Sequence, residues 1–186
     1  MRLGAWQAAI ALAVAAVAPV VRGQNAPQTD NAELTRMFQE DQDDRRPGLH
    51  GIDWAVVKPR DDSRLARTRQ MYSSGGLRTG TDWWHAALIL QHGSEPDDYL
   101  LSHEMSVAAV IKGEENARWL VAATEDRFLM NIGRKQRFGT QYEQGDEPGK
   151  FRLAPTDSGV TDELRAVLNA PSLAHARASA AQFDKK

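Results

Sequence analysis

The chain opens on an apolar run with no helical or strand periodicity. From Ala8 to Val21 it is mostly Ala and Val, with Ile10 and Leu12 among them, and Arg2 is the only charge ahead of it. A membrane-spanning helix needs about 20 apolar residues. This run is shorter and fits the apolar segment of a secretory signal. Small residues at Val21-Arg22-Gly23 place cleavage before Gln24. The expectation is a signal peptide over 1–23, a flexible polar leader over 24–31, a periplasmic or secreted location, and no membrane contact after cleavage.

Beyond residue 31 the apolar positions recur at helical spacing. Leu34, Met37 and Phe38 predict a helix over about 32–44, stopped by Arg46-Pro47-Gly48. Residues 48–60 read as a loop ending at Pro59. A second helix is expected from a cap at Asp61 or Asp62 to about Tyr72, closed by Gly75-Gly76. Three helices then alternate with glycines. Thr81 is expected to cap 82–92 before Gly93, Ser94 to cap a helix with Pro96 in its first turn that runs to Lys112, and a third covers 116–132 before Gly133. This punctuation predicts consecutive antiparallel hairpins, hence a mainly α fold: a helical bundle or short array of helical hairpins. Residues 140–155 carry at most one short strand pair, with an extended segment at 151–154. A last helical region opens at Thr161-Asp162-Glu163 and breaks near Pro171, and 176–186 read as a frayed tail. The helical domain is thus expected over 32–175.

Charge and composition narrow the function. The signal holds two of the 23 Lys+Arg and none of the 25 acids, so the mature chain is more acidic than the −2 of the whole. Nothing in that balance favours a nucleic-acid partner or an anionic membrane. With no cysteine there is no disulfide, thiol nucleophile or Cys-ligated metal. His103-Glu104 lacks the second His of a zinc-protease helix, because position 107 is Val. His85 and His92 stand about two turns apart, too far to share one metal. No metal site and no cofactor are expected.

Candidate chemistry lies where polar residues interrupt apolar helices. The 116–132 helix is apolar nearly all round, yet carries Glu125-Asp126-Arg127. Asp126 shares a stripe with Trp119, Ala122, Ala123 and Met130, and Arg127 one with Leu120, Ala123 and Thr124. Neighbours in sequence diverge around a helix, so each needs a partner from another element. For Asp126 the expected partners are His92, His103, Gln136 or an Arg. For Arg127 the expectation is a carbonyl or acid outside its own helix. His103 points inward with Leu100, Val107 and Val110, and Gln91 and His92 close the preceding helix, whose C-terminus favours a charged histidine. Gln136, Thr140 and Gln141 offer amides and a hydroxyl around Gly139. The acidic run 40–44 reads as a solvated helix end paired with Arg45 and Arg46.

Gln91-His92, then Asp126-Arg127, then Gln136-Arg137-Phe138-Gly139-Thr140-Gln141 resemble a bacterial domain-of-unknown-function family with a QH … DR … Q-x-aromatic-G-T-Q pattern. The resemblance spans roughly residues 33–145, and Asp41-Gln42 matches an early acid-Gln element. It implies a helical domain and no reaction, since the family has no established activity. Two functions remain open. One is a binding or interaction module of the cell envelope, with Gln91, His92, His103, Asp126, Arg127, Gln136, Thr140 and Gln141 around a small molecule or against an envelope protein. The other is a hydrolase with His92 or His103 as base, Asp126 orienting it and Arg127 stabilising an anion.

Overall fold

The computed structural model describes residues 28–46 and 52–183. The expected signal peptide and residues 24–27 of the leader lie outside the described residues. No helix among the described residues is long and apolar enough to cross a membrane.

The fold is mainly α, with a small two-stranded sheet. Helix α1 (Ala32–Asp44) starts at Asn31, whose side chain accepts from the amides of Glu33 and Leu34. Helix α2 spans Trp54–Ser73, α3 Gly80–Leu90, α4 Pro96–Ile111 and α5 Arg118–Asn131, the last entered through a 3-10 turn at Glu115–Ala117. Strand β1 (Tyr142–Gln144) pairs antiparallel with β2 (Phe151–Leu153), Glu143 opposite Arg152. Helices α6 (Asp162–Val167) and α7 (Leu173–Ala178) follow, and a 3-10 turn at Ser179–Phe183 ends the described chain.

Helix α3 is the centre, packed by α4, α1 and α2, while α5 packs on α4. Small side chains make this possible. Ala86, Ala87, Ser102, Ala109, Ala122 and Ala123 are all fully buried, so the backbones approach closely. The serines keep their hydroxyls satisfied: Ser102 donates to the Ala87 carbonyl at 2.7 Å and Ser106 to that of Ser102 at 2.8 Å. Leu34, Met37, Ile89, Leu90, Met105 and Leu120 fill the space between. A second core cluster, Ala122, Phe138, Val160 and Ala170, docks the C-terminal segment onto α5.

Four local expectations are corrected. Residues 54–60 are helix, not loop, because Asp53 caps α2 from the Ala55 amide and Pro59 sits on an exposed face. There its missing N–H costs one hydrogen bond that would have served a solvent-facing carbonyl. Thr79 rather than Thr81 caps α3, in a reciprocal box with Asp82. Glu95 rather than Ser94 caps α4, with Asp98 accepting from the amides of both Ser94 and Glu95. Residues 176–183 are not a frayed tail. Ala176 and Ala180 are buried, the Tyr142 hydroxyl donates to the Ala176 carbonyl at 3.0 Å, and its ring meets Phe183.

Candidate functional site

The polar residues singled out in the sequence separate into four groups. The largest is a closed knot beneath α5. The chain leaves that helix at Ile132 and folds back so that residues 136–141 lie against it. Asp126 is fully buried. One of its oxygens accepts from the amides of Arg137 (2.6 Å) and Phe138 (2.9 Å), the other from the amide (3.0 Å) and hydroxyl (2.8 Å) of Thr140. Gln136, also fully buried, mimics a peptide group. Its amide nitrogen donates to the carbonyls of Gln141 and Ala154, and its oxygen accepts from the Gln141 amide. Gly139 between them has φ of +80°, a conformation that L side chains resist.

Arg165, which sequence reasoning missed, closes the same loop from its carbonyl side. It is 2% exposed and donates to the carbonyls of Arg137, Phe138 and Val160. The expected side-chain partner for Asp126, whether His92, His103, Gln136 or an Arg, is therefore corrected to backbone amides and one hydroxyl. A carboxylate buried at no exposure needs donors on both oxygens, and the tight loop delivers four at once.

His103 belongs elsewhere. Its Nδ1 lies 3.0 Å from the Val121 carbonyl, which only accepts, so that nitrogen carries the hydrogen. It ties α4 to α5 and makes no contact with Asp126. The Asp126 half of the hydrolase arrangement is absent for both histidines.

His92 sits at the edge of a charged nest built by α1 and α2. Its Nδ1 is 3.0 Å from Asp41 Oδ1, and Asp41 is 1% exposed. Arg45 bridges Asp41 and Asp61 at 2.8 Å each, and Arg64 bridges Asp61 at 2.7 Å and Asp44 at 2.8 Å. Burial pushes the Asp61 and Asp44 carboxyls up, but hydrogen bonds from Arg45 and Arg64 to Asp61, and from Arg64 and Arg60 to Asp44, outweigh it and hold both below their ordinary range. The acidic run is thus a solvated end at Glu40, which pairs with Arg36, and at Asp43, which meets Arg46 in the open. The sequence held a signal for Asp41: it stands four residues after Met37 and seven after Leu34, on the buried stripe of α1.

His92 is not charged by its helix terminus as expected. Burial lowers its pKa most, contact with Asp41 pulls it back up, and Arg45 and Arg127 push it down, leaving it below 6.5. Its neighbour Gln91 is 5% exposed at the C-cap of α3, with a side-chain oxygen that is buried and unpartnered.

Arg127 forms the last group. Burial depresses its basicity most, Tyr99 opposes this, and Arg45 adds to it. A guanidinium nonetheless stays charged at neutral pH. Its Nε is shut off from solvent and has no acceptor, and the expected carbonyl or acid partner is not found among the described residues. With Tyr99, Met130, Asn131 and Gln141 it lines a 280 Å³ pocket open to solvent. Of the eight sequence candidates, only Arg127 and Gln141 meet at this pocket, with His92 near enough to feel the Arg127 charge. Tyr99 and Asn131 were missed; nothing in their spacing marks them. A larger hollow of 650 Å³ lies between α1 and α2, but its cations Arg60 and Arg64 are already paired with Asp44.

Comparison with protein-family models, curated proteins and solved structures finds no match for the chain.

Replacing Asp126 by Asn turns an amide N–H₂ against loop amides that need an acceptor. The expected loss is about 2–4 kcal/mol of unfolding free energy, from one or two buried donors left unsatisfied. Urea denaturation measures it, and an unchanged midpoint would refute the knot.

His92 generates a pH dependence. Its folded pKa is below the unfolded one, so as pH falls the unfolded chain takes up this proton first. The associated stability is full above about 6.5 and is lost as pH drops through 6.5 toward the lowered folded value. His85, stacked on Phe38 and lowered by burial, adds to the same slope. His92→Gln should flatten the fall in thermal midpoint between about pH 7 and 5; a slope identical to wild type would show that His92 does not contribute.

Proposed function

We propose that this chain is an exported binding module whose ligand site is the pocket between α4, the C-terminal half of α5 and Gln141. One observation carries the reading: the other buried charges named above are paired within the fold, whereas Arg127 has no counter-charge among the described residues and stands in the wall of an open pocket. An unpaired, largely desolvated charge is costly, and such costs are retained at sites that serve a ligand. Export rests on the apolar N-terminal run alone.

A second reading has its own support. The His92–Asp41 contact is the orienting pair that a general base requires, with Asp41 in the place assigned to Asp126 from sequence. Arg127 would then stabilise a developing anion at the same pocket.

A fragment screen on the full chain by two-dimensional amide spectra separates these readings. Binding predicts saturable shifts confined to Tyr99, Arg127, Met130, Asn131 and Gln141, lost in Arg127→Gln. Shifts scattered over the surface, or none, would reject the pocket as a site. Turnover of a bound ester or amide that His92→Gln abolishes while binding persists would favour the second reading.

A further inference from the structure

The pocket's polar groups are not equivalent. Each of the three uncharged ones donates one hydrogen to the protein. The Tyr99 hydroxyl donates to the Gly93 carbonyl at 2.8 Å. The Asn131 amide nitrogen faces the Ser94 carbonyl at 3.4 Å, which fixes which end of that amide is nitrogen. The Gln141 amide nitrogen lies 2.9 Å from Thr140 Oγ, whose own hydrogen goes to Asp126, so that oxygen must accept. Tyr99 keeps only oxygen lone pairs for a ligand, while Asn131 and Gln141 each keep an amide oxygen and the second hydrogen of the NH₂ group. What Arg127 keeps is the two terminal nitrogens of its guanidinium, which no hydrogen bond or ion pair uses among the described residues, while its Nε is unpartnered but shut off from solvent.

Resting on the binding reading above, we infer that the pocket takes a carboxylate flanked by N–H donors, the end group of a free amino acid or of a peptide chain. Three considerations select this class. A planar guanidinium matches a planar carboxylate through two parallel hydrogen bonds. The oxygens of Tyr99, Asn131 and Gln141 go unmet by a bare oxyanion, which has only lone pairs to offer, and reward a ligand whose anion is followed by an amide or ammonium N–H. The volume of 280 Å³ holds an end group while the open side leaves the remainder in solvent. Met130 gives a side chain on that group an apolar surface.

Four probes on the purified full-length chain test this, read by amide spectra and by the Arg127 side-chain N–H at constant ionic strength. N-acetylalanine carries the carboxylate and an amide N–H, and alanine carries the carboxylate and an ammonium. N-acetylalaninamide keeps the N–H without the charge, and acetate keeps the charge without the N–H. The expected result is saturable millimolar binding of N-acetylalanine, alanine or both. N-acetylalaninamide should bind about 10–100-fold more weakly, as loss of one charge-assisted pair implies, acetate should also be weaker, and Arg127→Gln should abolish the shifts. Preference for N-acetylalanine assigns peptide ends, and preference for alanine assigns free amino acids. Equal binding of N-acetylalaninamide, or binding that survives in Arg127→Gln, overturns the inference but leaves a neutral-ligand pocket standing. Acetate binding as tightly as the two amino-acid probes overturns the role of the flanking donors. No shift at the pocket with any probe also overturns the inference, while the fragment screen decides the binding reading separately.

Discussion

The loop that closes the site depends on one buried carboxylate. Asp126 gathers three amides and a hydroxyl from residues 137–140 and so converts the exit from α5 into a fixed loop. Arg165 holds the opposite, carbonyl side of that loop. Between them Phe138 is pressed into the second core cluster, and the C-terminal helices find a surface to dock on. The same loop carries Gln141 to the pocket, with its backbone pinned by Gln136 and its side chain by Thr140. Arg127 follows Asp126 by one residue and therefore points about 100° away around the helix. It leaves the knot and turns toward Tyr99. One helical turn thus serves the fold with one charge and the pocket with the next.

Electrostatics reinforce this division. In the nest between α1 and α2, Asp41, Asp44 and Asp61 are matched by Arg45, Arg60 and Arg64, and the contacts are short and mutual. Such clusters repay their desolvation only when each charge is met, and here each is. His92 touches this nest through Asp41 yet stays on the neutral side of its titration at pH 7. Arg127 lies close enough to sense Arg45 and His92 but has no share in their acids. Among these buried charges of the described residues its own is left unpaired, and it lines the opening.

The helical fold was legible because glycine and periodicity speak together in this sequence. Gly93, Gly113 and Gly133 end three apolar helices, and α3, α4 and α5 lie within a few residues of where that punctuation puts them. Pro59 concealed the first two turns of α2, because a proline that faces solvent near a capped N-terminus does not stop a helix. The C-terminal docking was illegible since it depends on Tyr142 and Phe183, far apart in sequence and without a pattern of their own. For the site, burial of Asp126 followed from its apolar stripe, but its partners did not. Backbone amides have no signature in residue identity, and a sequence reader looks for basic side chains. Arg165 was hidden for the related reason that its short helix has no apolar stripe to mark it as buried.

The central claim is that Arg127 is held for a ligand and contributes nothing to holding the fold. Its most direct test is the unfolding free energy of Arg127→Met, which keeps the stem's apolar contacts and deletes the charge. With no partner to orphan and a desolvated cation removed, the variant should be as stable as wild type or more so in urea denaturation. A loss of about 3 kcal/mol or more, the size expected when a buried ion pair is broken, would show that Arg127 is bound into the structure and would contradict the account.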